Sequence, residues 1–359
     1  MGQAPQPFAS TFSPQVPELL KQLNCTIALS TYQAGKLIFI SAQDDERLIQ
    51  LPRSFEKAMG IAENPENGQL ALATKDEVIL FANDPSLAAH YPKAPGVYDA
   101  LYLPRCTYHT SALDLHDIAF GAENKIYCVN TLFSSIVTID QQFNFNPFWK
   151  PSFITRLASE DCCHLNGMAI ENGRPKYATA FSTGNTMTSW RETVPNSGVL
   201  FDVKTDSILT EGLAMPHSPR IINGELYCLL SATGELIKID RDSGKKTTVK
   251  RFDGFVRGMS FYQDYLFVGL SKLRRNSSIF AKLDFPFSGN TAGIVIMHLP
   301  TESIVGKIVY QTSVDEIYDV HILAGKSRPN ILNKQRPEHK MALSTPNASF
   351  WAKNQNPTS

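Results

Sequence analysis

Short runs of alternating apolar and polar residues, closed by Gly, Asn, Asp or Pro, fill most of the chain: EVILFAN, SSIVTIDQQ, SGVLFDVKTDSILTEG and AGIVIMHLPTESIVGKIVYQ are examples. A period of two with turn residues at both ends predicts half-buried β-strands joined by tight turns. Only the segment from Val16 to Leu23 carries a helical pattern. A longer repeat lies over the strands: a phrase of the form polar, small, apolar, apolar, then a turn and a second strand-like run. It begins at Met59 (MGIAENPENGQLALAT), His116 (HDIAFGAENKIYCVNT), Asn166 (NGMAIENGRPKYATAF), His217 (HSPRIINGELYCLLSA), Arg257 (RGMSFYQDYLFVGLS) and Asp319 (DVHILAG).

The mean spacing of about 52 residues is too long for a leucine-rich or tetratricopeptide repeat and suits a four-stranded propeller blade. The sixth phrase has no strands after it, whereas CTIALSTYQ, GKLIFISAQ and RLIQLPR, from Cys25 to Arg53, have no phrase before them. The prediction is an all-β, six-bladed β-propeller, with seven blades as the alternative. Its ring closes where the N-terminal strands pair beside the C-terminal inner strand, which removes exposed sheet edges. Residues 1–24 read as a flexible lead, 25–325 as one propeller domain, and 326–359 as a polar, basic, disordered tail. The three Trp residues do not follow the spacing of WD40 repeats.

Charge narrows the partners. With 34 Lys+Arg against 34 Asp+Glu, no global field draws the chain to nucleic acid or to an anionic membrane. No stretch is long and apolar enough for a membrane helix, and MGQAPQPFASTFSPQ lacks the regions of a signal peptide, so a cytoplasmic protein is expected. The six cysteines sit mostly in apolar runs and read as reduced core thiols; adjacent Cys162 and Cys163 cannot easily clamp one tetrahedral ion.

Inner-strand starts in a propeller face the mouth of the central channel, where rigidly held loops usually carry the chemistry. The residues there are Met59, His116, Asn166, His217, Arg257 and Asp319, too polar for a core. His116, His217, Asp319 and Arg257 are the catalytic candidates, the first three also as metal ligands. Asn166, His164, Arg220, Trp190 and Arg191 are the ligand-binding candidates. The competing view is that each histidine bonds nearby backbone and staples blades together, and that Arg220 pairs with Asp117 or Asp319. Three insertions, 83–115, 182–196 and 271–291, are expected to add an aromatic and Arg-rich rim. No nucleophile elbow, P-loop, dinucleotide fingerprint or HExxH is present, and Ser218 lies in a strand beside His217 rather than on an elbow.

The Met215-Pro216-His217-Ser218-Pro219-Arg220 phrase, with Leu113 to Ile118 and Leu165 to Ala169, resembles a mostly bacterial family of conserved hypothetical six-bladed propellers. More distantly, the Asn-Gly-Met-Ala phrase at Asn166 is similar to the strand starts of gluconolactonase-, paraoxonase- and strictosidine-synthase-like propellers, which hold a Ca²⁺ at the channel mouth. Only Asn166 and Asp319 match that ligand chemistry, and imidazoles suit Zn, Mn or Fe better than Ca²⁺. The expectation is a metal-dependent enzyme, a hydrolase, lactonase-like enzyme or isomerase, acting on a small polar or anionic substrate. The alternative is a non-catalytic propeller that binds a peptide, sugar or protein partner through its rim.

Overall fold

The computed structural model describes residues 6–64, 66–273 and 288–352. Six antiparallel four-stranded sheets form a six-bladed propeller. From the channel outward, blade 1 comprises Ile61–Glu63, Leu70–Ala73, Glu77–Asn83 and Ala100–His109. The inner strands of blades 2 to 5 are Leu115–Phe120, Leu165–Glu171, Pro216–Ile222 and Phe255–Tyr262, each followed outward by three more strands. Alternation along the strands buries apolar side chains between neighbouring blades, so the core is a set of inter-blade clusters such as Leu70, Phe81 and Phe39 between blades 1 and 6.

Blade 6 closes the ring as the strand pattern requires. Its inner strand, Asp319–Ala324, pairs antiparallel with Cys25–Thr31 in the register Cys25 to Ala324 through Ser30 to Asp319, and Lys36–Ala42 and Leu48–Ser54 complete it. Both flanking segments are more ordered than their composition suggests. Ser10–Phe12 adds a fifth strand to blade 5, and the helix Val16–Gln22 seats Val16 and Leu20 against Ile296 and Ile308. Pro329–Ile331 adds a parallel fifth strand to blade 1, and a hairpin of Ala342–Ser344 with Ser349–Trp351 covers the helix Pro85–Ala89. The polar composition of 326–359 hides Ile331, Leu332, Ala342 and Trp351, enough to dock a short segment on an uncovered edge. Among the described residues no helix is long and apolar enough to cross a membrane.

The channel is lined by a ring of six inner-strand residues: Gly60, Asp117, Gly167, Ser218, Gly258 and Asp319. Small and side-chain-bearing residues alternate from blade to blade. A Cβ on Gly60, Gly167 or Gly258 would lie 2.5–3.0 Å from the next blade, so odd blades press their backbone against even ones. Even blades answer with side chains: Asp117 accepts from Met168 N–H (3.0 Å), Ser218 from Gly258 N–H (3.2 Å) and Asp319 from Ile61 N–H (2.9 Å). Asp117 and Asp319 also accept from the N–H that follows each, Ile118 and Val320. These matched bonds place Asp319 level with Asp117 rather than with His116. The sixth phrase is therefore one residue out of phase, and Tyr318 holds the position that the spacing assigns to Asp319.

Candidate functional site

The inner strands all begin on one face, and a cavity of ≈ 320 Å³ opens there. Two rings of residues build it. The lower ring is the corrected column, from which His116, His217, Arg257 and Tyr318 line the cavity, while Met59 is buried in the core. The upper ring lies two residues earlier in each blade: Lys57, Asp114, His164, Met215, Phe255 and Glu316, and all six line the cavity. Lys57, Asp114, His164 and Met215 have φ between +51° and +55°, a left-handed backbone that L-residues rarely adopt and that clusters at functional sites. In blades 2 and 4 this turn does identifiable work. It presents the Asp114 and Met215 carbonyls to Nδ1 of the histidine two residues on, at 3.0 Å for His116 and 3.2 Å for His217.

Those bonds fix the imidazole tautomers. Ser231 donates its hydroxyl proton to Val256 O at 2.6 Å, so it accepts from Nδ1–H of His217 at 2.7 Å. His116 Nδ1 faces only acceptors, the Asp114 carbonyl and, at 3.6 Å, its carboxylate. His164 Nδ1 donates to Asp161, which also accepts from the Trp190 indole at 2.9 Å. His116 and His217 therefore carry their protons on Nδ1 and keep the lone pair on Nε2. Burial pushes His116 down to about 3, against the pull of Asp114, and burial followed by the charge of Arg257 holds His217 well below its ordinary value. Both rings are neutral at pH 7.

Ring-to-ring contacts run around the mouth: Tyr318 to His116 at 5.6 Å, His116 to His164 at 4.9 Å, His164 to Phe181 at 4.6 Å, Phe181 to His217 at 5.1 Å and His217 to Phe255 at 6.2 Å. Arg257 completes the belt, its guanidinium stacked 3.8 Å from the Tyr318 ring centre. Among the described residues it has no carboxylate partner and no hydrogen-bond acceptor. The other cations of the cavity are paired, Lys57 with Asp114 at 2.5 Å and Lys272 with Asp315 at 2.6 Å. Glu316, buried beside them, is raised to about 7 by desolvation, although Arg257 opposes this.

Beneath the mouth the channel narrows to a cavity of ≈ 10 Å³ that His116, His217, Arg257 and Tyr318 border together with Asn166, Asp117, Ser218, Asp319 and Arg220. Arg220 donates to Asp117 Oδ2, Met168 O and Pro219 O at 2.9–3.0 Å. It is paired with Asp117, borders the narrow cavity and does not line the mouth itself. Asn166 accepts from Thr179 and leaves its buried amide nitrogen without a partner among the described residues.

The column thus brings together His116, His217 and Arg257, with His164 and Trp190 beside them. Asp319 is not among the residues that line the mouth itself. Its carboxylate accepts from Ile61 N–H, tying blade 6 to blade 1, and borders the narrow cavity beneath the mouth together with His116 and His217. Among the described residues no three His, Cys, Asp or Glu side chains are grouped to hold an ion. Arg191 is exposed, packs its guanidinium 5.4 Å from the Trp190 ring and does not line the cavity. Of the three insertions, 182–196 supplies Trp190 to the mouth. The insertion 83–115 begins by joining third to fourth strand in blade 1, so its residues 84–99 lie on the opposite face, and only its end, at Asp114, reaches the cavity. In the third, Lys272 and Leu273 line the mouth, while Arg274, Arg275, Phe280, Phe285 and Phe287 lie outside the described residues. Of the upper ring only His164 was picked out by sequence reading, although moving two residues back from each of the first five phrases would have found five of its members.

Fold and mouth together define a six-bladed propeller whose channel narrows beneath an axial pocket. The chain belongs to the family described as Domain of unknown function (DUF4915), which matches residues 14–332. No protein of curated function matches it. Among solved structures it is similar to a chain of the nidogen/laminin complex (9% identity, TM-score 0.53, covering 84% of this chain and 99% of that one). It is also similar to a protein of unknown function from Bacteroides caccae (8% identity, TM-score 0.49, 83% and 98% covered). A third is a catalytically inactive virginiamycin B lyase from Staphylococcus aureus with quinupristin (13% identity, TM-score 0.42, 84% and 99% covered). At these identities the likeness concerns the fold alone.

Proposed function

We propose that the channel mouth is an acid–base active site for a small organic anion. Its anionic group sits on Arg257, His116 and His217 accept hydrogen bonds through Nε2, and Glu316 carries the proton. The observation that supports this best is the Tyr318-stacked guanidinium, unpaired among the described residues, in the same pocket as imidazoles whose lone pairs are held available. A guanidinium in a partly desolvated pocket is a strong receptor for a carboxylate or phosphate. A carboxyl group near pH 7 is matched to proton transfer at neutral pH, whereas an imidazole as acidic as His116 is the weaker base until a bound anion offsets the charge of Arg257.

A second reading has its own support. The aromatic belt and the low basicity of His116 and His217 also suit a binding pocket that performs no chemistry. The two separate in one experiment, in which the purified protein is incubated with a pool of cellular small molecules and followed by mass spectrometry. The catalytic reading expects an anionic compound to disappear with wild type and to persist, still bound, with Glu316→Gln; Arg257→Met should neither bind nor consume it. Retention of a compound without turnover by wild type and Glu316→Gln alike would establish the binding reading instead.

A further inference from the structure

The upper ring of the mouth is divided. Blades 6, 1 and 2 contribute Glu316, Lys57 and Asp114, and blades 3, 4 and 5 contribute His164, Met215 and Phe255. Phe181, wedged between His164 and His217, and Leu273 extend the second half. One wall is therefore charged and the other apolar and aromatic, with Arg257 and its Tyr318 platform where the two meet. We infer that the ligand is a small amphipathic monocarboxylate, its apolar or aromatic body laid on blades 3 to 5 and its carboxylate on Arg257. This rests on the anion reading above and narrows it.

Three features of the site carry the choice. Lys57 and Lys272 are neutralised by Asp114 and Asp315, so among the described residues one cation lining the cavity is available for the ligand. A single planar guanidinium matches a carboxylate, whereas phosphate sites usually gather several N–H groups and cations. Apart from the His164 and His217 imidazoles, this wall offers hydroxyl groups few partners: Met215, Phe181 and Phe255 would leave most of a sugar's donors unpaired on that side. A cavity of ≈ 320 Å³ is at the small end of the range for a single organic ligand, which suits one ring or a short branched chain rather than a peptide.

The test is calorimetric binding to the full chain with three probes: 3-phenylpropanoate, D-gluconate and 3-phenylpropanol. The first has both features, the second keeps the charge without the apolar body, and the third keeps the body without the charge. Phenylpropanoate should bind at least about tenfold more tightly than either, the scale set by burying a few methylenes or making one charge-assisted hydrogen bond. Arg257→Met should reduce its affinity to that of the alcohol. Gluconate binding as well as phenylpropanoate, and losing affinity in Arg257→Met, would overturn the amphipathic inference and leave the anion reading standing. Alcohol and acid binding equally would overturn both. No binding by any probe at millimolar concentration would overturn the inference, while the turnover experiment still decides the reading beneath it.

Discussion

Single side chains at the mouth take their chemistry from where the chain places them. His116 and His217 were legible from sequence because each opens a recurring phrase, and the phrase sets which residues reach the channel. Glu316 was not, since it lies on a loop between blades with no apolar pattern to mark it, and its significance comes from burial alone. Its pH behaviour is a direct check. The folded carboxyl is raised from 4.5 to about 7, so the folded state binds more protons than the unfolded chain across that interval. The stabilisation is complete below about pH 4.5 and is lost as pH rises through 7. Glu316→Gln mimics the protonated acid at every pH. Melting curves from pH 4.5 to 8 should show the two proteins alike in acid and the glutamine variant more stable above pH 7, by up to roughly 3 kcal/mol. A constant difference across the range would mean that Glu316 is ionised throughout.

At the scale of the inner strand, small and side-chain-bearing residues alternate around the channel so that each blade locks to the next. The first five members were readable from the repeat. The sixth was misread by one position, because Asp319-Val320 imitates the polar-small-apolar phrase while Tyr318, an aromatic, breaks it. Only the hydrogen bonds shared by Asp117 and Asp319 reveal the true phase, and that shift removes Asp319 from the mouth and puts Tyr318 under Arg257. Gly258 tests the lock. It has φ +77°, and a Cβ there would stand 2.8 Å from Asp319 Cα and Val320 N, both backbone atoms that cannot move aside alone. Gly258→Ala should cost about 2–4 kcal/mol, combining overpacking with the left-handed backbone penalty. Gly224, at φ +83° with nothing within 4 Å, isolates the second component, so Gly224→Ala should cost only about 1 kcal/mol. Chemical denaturation of both variants checks the difference; equal losses would show that close approach between blades 5 and 6 contributes nothing.

Across the whole molecule, both ends of the chain are used to finish the ring. Closure through Cys25–Thr31 and Asp319–Ala324 was legible because unpaired strand patterns at one terminus matched a missing blade at the other. The outer clasp was not, because the apolar residues that dock, Ile331, Leu332, Ala342 and Trp351, are dispersed through a segment whose average composition is polar. Trp351 donates its indole N–H to Leu87 O at 3.1 Å and packs 5.7 Å from the Tyr91 ring. With Leu332 and Ala342 it covers Leu87, Leu101 and Leu103, all buried. Removing residues 333–359 should therefore expose part of this cluster and lower stability by roughly 3–5 kcal/mol, the scale of uncovering two large apolar side chains. Arg53 still reaches Asn330 and the Ile331 carbonyl, so the parallel strand Pro329–Ile331 should remain. The hairpin lies on the face opposite the cavity, so the loss should appear in the melting temperature and in faster amide exchange at Leu101 and Leu103, with Arg257-dependent ligand binding intact. A truncated protein that melts like the full chain would show that the hairpin rests on blade 1 without stabilising it, and one that loses ligand binding at ambient temperature would show that the two faces are coupled through blade 1.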